Sequence, residues 1–210
     1  MIMLLYYITD RRSFPGNSEA QKQHLLAKIA ECAAAHVDYI QLREKDLSTR
    51  ELHQLAEQAM SCIPAGSRTR LLINSRVDIA LACGAHGIHL PSSGLRAADA
   101  RMIFEKAGKR DALVAVSTHS VEEVARAREQ GADFVVFGPV FEKNAKIASD
   151  GLQRLQEACR IAIPVFALGG ATRANASSCL AAGAAGIAGI RLFQESNAFG
   201  GWLPSRVQSS

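Results

Sequence analysis

The stretch from Val121 to Gly138 reads VEEVARAREQGADFVVFG, and its reading decides the fold. Its first ten residues carry a helical pattern. Gly131-Ala132 then closes the helix, because a Gly that takes the left-handed conformation stops it before the next element. Phe134-Val135-Val136-Phe137 follows as a short apolar run without strict alternation, the mark of a parallel strand covered on both faces. Helix, Gly-Ala and apolar strand make one unit of an α/β protein.

The same unit recurs in both directions along the chain. Gly84-Ala85 and Gly183-Ala184 repeat the stop before Gly87-Ile88-His89-Leu90 and Gly186-Ile187-Ala188-Gly189-Ile190. The other strands read from the sequence are Leu4 to Ile8, Tyr39 to Leu42, Leu71 to Ile73, Leu113 to Val116 and Pro164 to Leu168. Helical patterns separate them: Ser18 to Ala35, Ser48 to Cys62, Val77 to Cys83, Ala97 to Lys106, Leu152 to Ile161 and Arg173 to Ala182. Ser48 with Glu51 three residues on forms a capping box. Eight such strands imply a closed (β/α)8 (TIM) barrel rather than an open sheet, as a single domain over residues 1–210. The eighth helix is poorly represented, since Phe199 to Pro204 is a weak helix former.

Composition narrows the function. The chain has 210 residues, a net charge of +4 and 48% apolar residues, which makes it globular. No apolar run is long enough for a bilayer, and Met1 to Leu5 lacks the features of a signal peptide, so no membrane partner is expected. The basic residues are spread out, and the densest clusters, Arg11-Arg12 and Arg68 to Arg70, have no aromatic residues among them, which argues against nucleic acid. The five cysteines include no CxxC pair and lie mostly in apolar helical stretches, implying free thiols and a cytoplasmic setting.

In this barrel the chemistry sits in the loops after the strands. Gln41 and Arg43 share a direction by strand alternation, and Arg43 and Lys45 can meet a phosphate or carboxylate; the plainer reading is a solvated charge cluster in which Glu44 neutralises a neighbour. Asn74 and Ser75 read either as a helix cap or, for Asn74, as a substrate hydrogen bond. Ser117 and Ser120 are cap candidates, whereas His119, at a strand end, can exchange protons near neutral pH. The long basic loop from Gly138 to Lys146 has the make-up of a lid. Gly169-Gly170 and the segment at Ile190-Arg191 occupy the usual phosphate position of the barrel, after strands seven and eight.

Taken in order, Tyr7-Ile8-Thr9-Asp10, Gln41 to Lys45, Asn74 to Asp78, Gly87 to Leu90, Ser117 to Ser120, Gly138 to Phe141, Lys146 and Gly169-Gly170 resemble the thiamin phosphate synthase/TenI family, from about residue 7 to residue 193. The resemblance implies one of two activities. The synthases join an aminopyrimidine pyrophosphate to a thiazole phosphate with Mg²⁺ held by two carboxylates. Here those positions are Ser75 and Gly94, and of the pyrophosphate-binding Thr-x-Thr-Lys pattern only Lys146 remains. The TenI branch looks closer. Its tautomerase moves a proton on a carboxylated thiazole phosphate and needs no cofactor.

On that resemblance His119 is the catalytic residue. Gln41, Arg43, Lys45, Asn74, Ser117 and Lys146 bind substrate, and Gly169, Gly170, Ile190 and Arg191 hold the phosphate. Arg191 departs from the Ser usual in the family. No metal site is expected, and Mg²⁺ enters only if the synthase alternative holds. The expected partner is a small phosphorylated thiazole-type substrate, and a homodimer is an admissible assembly. A phosphate-binding or regulatory protein that has lost the chemistry is the third alternative. His89 is expected to pack.

Overall fold

The computed structural model describes residues 3–141 and 150–195. Eight parallel strands pair in sequence order and close on themselves. They are β1 (Leu4–Ile8), β2 (Tyr39–Leu42), β3 (Arg70–Asn74), β4 (Gly87–Leu90), β5 (Leu113–Thr118), β6 (Phe134–Phe137), β7 (Val165–Ala167) and β8 (Gly186–Gly189). The closing pair sets Leu4 against Gly186 and Tyr7 against Gly189. The helices are α1 (Ser18–Ala34), α2 (Thr49–Ser61), α3 (Val77–Ala82), α4 (Ala97–Lys106), α5 (Val121–Glu129), α6 (Gly151–Cys159), α7 (Ala176–Ala181) and α8 (Arg191–Gln194). The architecture is the (β/α)8 barrel.

Local sequence explains the boundaries. Ser48 and Glu51 form the expected capping box at α2. Gly84, Gly131 and Gly183 all have left-handed φ, so each stops its helix as read. The last helix is a single turn, and residues 199–204 lie outside those described. Among the described residues no helix is long and apolar enough to cross a membrane.

The core divides in two. Outward strand residues such as Leu5, Ile40, Ile73, Val114 and Phe137 pack with the helices. The barrel interior is a separate cluster that includes Tyr6, Leu72, Ala115, Phe134, Phe166 and Ala188. Its floor is aromatic: Tyr39, Phe134 and Phe166 stack around Tyr6, with ring centroids 4.7 Å apart for Tyr39–Phe134 and 5.1 Å for Phe134–Phe166. The inward columns of β3, β5 and β6 continue two residues further into a polar or small side chain. Leu72 leads to Asn74, Ala115 to Ser117 and Val136 to Gly138, so polarity gathers at the C-terminal rim.

Candidate functional site

A polar layer lies above the aromatic floor. Gln41, at the end of β2, is buried and donates from Nε2 to Asn74 Oδ1 over 3.5 Å. Its Oε1 is buried and has no partner among the described residues, so an acceptor is held ready there. Asn74 does not cap α3. It donates to Ser75 Oγ at 3.1 Å, and Arg76 stands at the cap position without a side-chain cap bond. Ser75 has a left-handed φ of 62°. Ser120, not Ser117, caps α5 by accepting from Glu123 N, which leaves Ser117 to the mouth.

His89 belongs to this layer. It is 2% exposed, with Nδ1 2.9 Å from Tyr6 Oη and Nε2 2.7 Å from Ser117 Oγ. Burial, with the Arg43 guanidinium beside it, drops its pKa to about 3, so the ring is neutral at ordinary pH. The packing role expected from the sequence is thus incomplete, because its polar atoms link the floor to the mouth. The period-two alternation from Gly87 was the signal that could have shown it.

The charges after β2 are arranged differently from the solvated cluster of the plainer reading. Glu44 is buried and accepts from Thr9 Oγ1 at 2.6 Å, from Arg11 N at 3.2 Å and from Arg11 Nη1 at 3.0 Å. Arg11 also forks onto Asp46 at 2.6 and 2.7 Å. Burial raises the Glu44 pKa against the pull of these donors, whereas the Arg11 bond holds Asp46 down at about 2. Glu44 therefore ties the β1 and β2 loops together, and it is not spent on Arg43 or Lys45. Arg43 is half-buried at the mouth, and its N–H donates to Thr9 Oγ1; Lys45 is exposed.

His119 is exposed just past β5, and its Nδ1 lies 2.6 Å from the Gly138 carbonyl. A carbonyl only accepts, so Nδ1 carries the proton and the Nε2 lone pair is the free base. The main chain at His119 is held on both sides, its N–H by Glu123 and its carbonyl by Arg154.

Gly169 and Gly170 follow β7 with φ of 90° and 64°, which only glycine adopts easily. A Cβ on Gly169 would lie 2.7 Å from Pro139 Cβ. Their carbonyls are engaged by Phe141 N and Asn175 Nδ2, while their N–H groups have no partner among the described residues. Ile190 packs on the interior cluster, and Arg191 is exposed. Lys146 lies outside the described residues.

The Mg²⁺ that the synthases use does not fit this donor set. Ser75 offers a hydroxyl, and Gly94 closes a turn on the Pro91 carbonyl in which a Cβ would sit 2.8 Å from Pro91 Cγ. Among the described carboxylates after the strands, Glu44 and Asp46 bond Arg11, Asp78 bonds Arg76, Glu123 accepts from His119 N and Asp10 from the Ser13 hydroxyl. A hard dication usually needs such carboxylates alongside substrate phosphate.

Gln41, Asn74, His89 and Ser117, gathered at the C-terminal ends of β2 to β5, give this (β/α)8 barrel a polar mouth. The chain belongs to the thiamine monophosphate synthase/TenI family, whose thiamine monophosphate synthase model matches residues 5–193. It is 46% identical over 188 residues to a putative thiamine-phosphate synthase of Geobacter sulfurreducens, covering 88% of this chain and 83% of that one. It is 37% identical to putative thiamine-phosphate synthase 2 of Aquifex aeolicus, covering 91% and 97%. Among solved structures, thiamine phosphate pyrophosphorylase from Pyrococcus furiosus superposes with a TM-score of 0.77 at 28% identity, over 93% and 89% of the two chains.

Proposed function

We propose that the chain works on the thiazole phosphate of thiamin assembly, and that its own reaction is a metal-free tautomerisation of a carboxylated thiazole phosphate. One observation carries this reading: the Gly138 carbonyl fixes the His119 tautomer, leaving Nε2 as an oriented base at the rim. Nε2 takes a proton from one carbon of the substrate, and the imidazolium returns a proton to another. The imidazole ends as it began, so the step balances without a co-reactant. The N–H groups of Gly169 and Gly170, without partners among the described residues, suit the phosphate, and Arg43 suits the carboxylate.

The names of the relatives favour a second reading, thiamin phosphate synthase, a transferase. Against it in this chain stand Ser75 and Gly94. Supplying the purified protein with each substrate set decides between them. Turnover of the thiazole tautomer in the presence of a chelator supports the first reading. Mg²⁺-dependent formation of thiamin phosphate, with no tautomer turnover, replaces it with the second.

A further inference from the structure

Tyr6 and His89 lie below the groups named for either reaction, yet they bond in line with Ser117. We propose that Tyr6 and His89 are positioning residues that hold Ser117 as a hydrogen-bond donor aimed at an anionic oxygen in the barrel mouth. The proposal rests on the reading of that mouth as the place of a phosphorylated substrate, whichever reaction follows.

The direction of the chain of bonds comes from Tyr6. Its side chain is fully buried among Tyr39, Phe134 and Phe166, and among the described residues His89 Nδ1 is the one partner of its hydroxyl. If Nδ1 carried the proton, the Tyr6 O–H would be a buried donor with no acceptor, an arrangement that native structures avoid. Tyr6 therefore donates to Nδ1, and the neutral ring carries its proton on Nε2. Nε2–H then donates to Ser117 Oγ. With its oxygen occupied as acceptor, Ser117 keeps its own hydrogen to give.

Ser117 can use that hydrogen, since it is only half-buried and stands two residues beyond the interior-facing Ala115, where that column of β5 reaches the rim. Facing His89 are Tyr6 from β1, Arg43 from the β2 loop, Asn74 alongside on β3 and Ser117 from β5. Arg43 is the charged group of that set, and it opposes protonation of the ring. In the opposite tautomer Ser117 would spend its hydrogen on His89 and offer the mouth only lone pairs, which repel an anion.

Nitrogen-detected NMR of the uniformly ¹⁵N-labelled protein tests the direction without any ligand. A bare Nδ1 and a protonated Nε2 on His89, unchanged between pH 5 and 8, are expected. A protonated Nδ1, or an imidazolium forming in that range, overturns the proposal. Calorimetric titration with thiazole phosphate tests the consequence. Tyr6→Phe, which keeps the ring in the floor, should weaken binding roughly five- to tenfold, the scale of one hydrogen bond. In a Ser117→Ala background the same substitution should cost nothing further, because the hydroxyl it orients is gone. Independent, additive losses would show packing alone and overturn the proposal. If thiazole phosphate fails to bind the wild-type protein, the functional reading fails, and the NMR result still decides the relay.

Discussion

His119 Nδ1 lies 2.6 Å from the carbonyl oxygen of Gly138, so the loop leaving β6 sets the tautomer of a side chain leaving β5. This makes His119 testable in two parts. His119→Ala removes the base, and turnover of the thiazole tautomer should fall roughly a hundred- to ten-thousand-fold. Affinity for thiazole phosphate should stay within about twofold if the phosphate sits, as proposed, after β7 and β8. Steady-state kinetics with calorimetry reads both, and near-wild-type turnover of His119→Asn would sink the proton-transfer role.

Much of this arrangement is legible in the sequence. The Gly-Ala stops and short apolar strands dictate the barrel, and the position of Gln41, Asn74, Ser117 and Gly169 at one rim follows from it. Two things are not legible there. The partner of Glu44 is Arg11, 33 residues earlier, and no local spacing connects them. The depth of His89 is set by Tyr6, 83 residues earlier and reached across the barrel interior. Strand alternation gives the direction of a side chain but not which distant side chain will meet it.

The Ser75 and Gly94 positions give a prediction about metal. Ser75→Asp should fold, because Asp tolerates the left-handed φ that Ser75 already holds. Adding Gly94→Asp should not complete an Mg²⁺ site, since its Cβ must first displace the Pro91 ring, 2.8 Å away. Titration of the double variant with Mg²⁺ and inorganic pyrophosphate should show no metal-dependent binding. Clear Mg²⁺-dependent binding would mean that the Pro91 turn yields readily and that the carboxylates were all that was missing.

At the glycine pair, a substitution tests the backbone as well as the ligand. Gly170 has φ of 64°, so Gly170→Val places a β-branched residue where it is strained and should cost stability as well as affinity. Gly170→Asn is the cleaner probe, because Asn enters this conformation more easily. It should melt close to the wild type while binding thiazole phosphate more weakly. Unchanged affinity in a folded Gly170→Asn protein would move the phosphate away from this turn.

The Arg11–Glu44 pair predicts a large stability effect at the junction of the β1 and β2 loops. Their side chains are 6% and 1% exposed, so removing the guanidinium leaves a buried carboxylate with no opposite charge and only the Thr9 hydroxyl and the main-chain N–H of residue 11 as donors. Arg11→Met should cost about 3–5 kcal/mol in urea unfolding, the usual scale for breaking a buried pair. Asp46→Asn should cost far less, because that carboxylate is 39% exposed and solvent screens its bond to Arg11. Equal losses for the two variants would show that Glu44 is not the partner that matters.

His89 makes stability depend on pH. Its pKa in the folded protein is lowered to about 3 from an ordinary 6.5, with burial the largest cause and Arg43 the second. Above pH 6.5 the ring is neutral whether the chain is folded or unfolded, and this group adds no slope. As pH falls below 6.5 the unfolded chain takes up a proton that the folded protein refuses. The native state therefore loses about 1.4 kcal/mol per pH unit from this one site, a loss that continues until the folded pKa is reached. Asp46 acts lower, between its ordinary 3.8 and the value of about 2 to which Arg11 holds it. Burial also lowers the His86 pKa, which adds slope of the same sign, and raises that of Glu44, which adds slope of the opposite sign, so the His89 share is the part of the slope that His89→Asn removes. Urea unfolding below pH 6.5 should show the slope in the wild type, and His89→Asn should reduce it while lowering stability at pH 7.5. A slope undiminished in His89→Asn would place the proton uptake on another group.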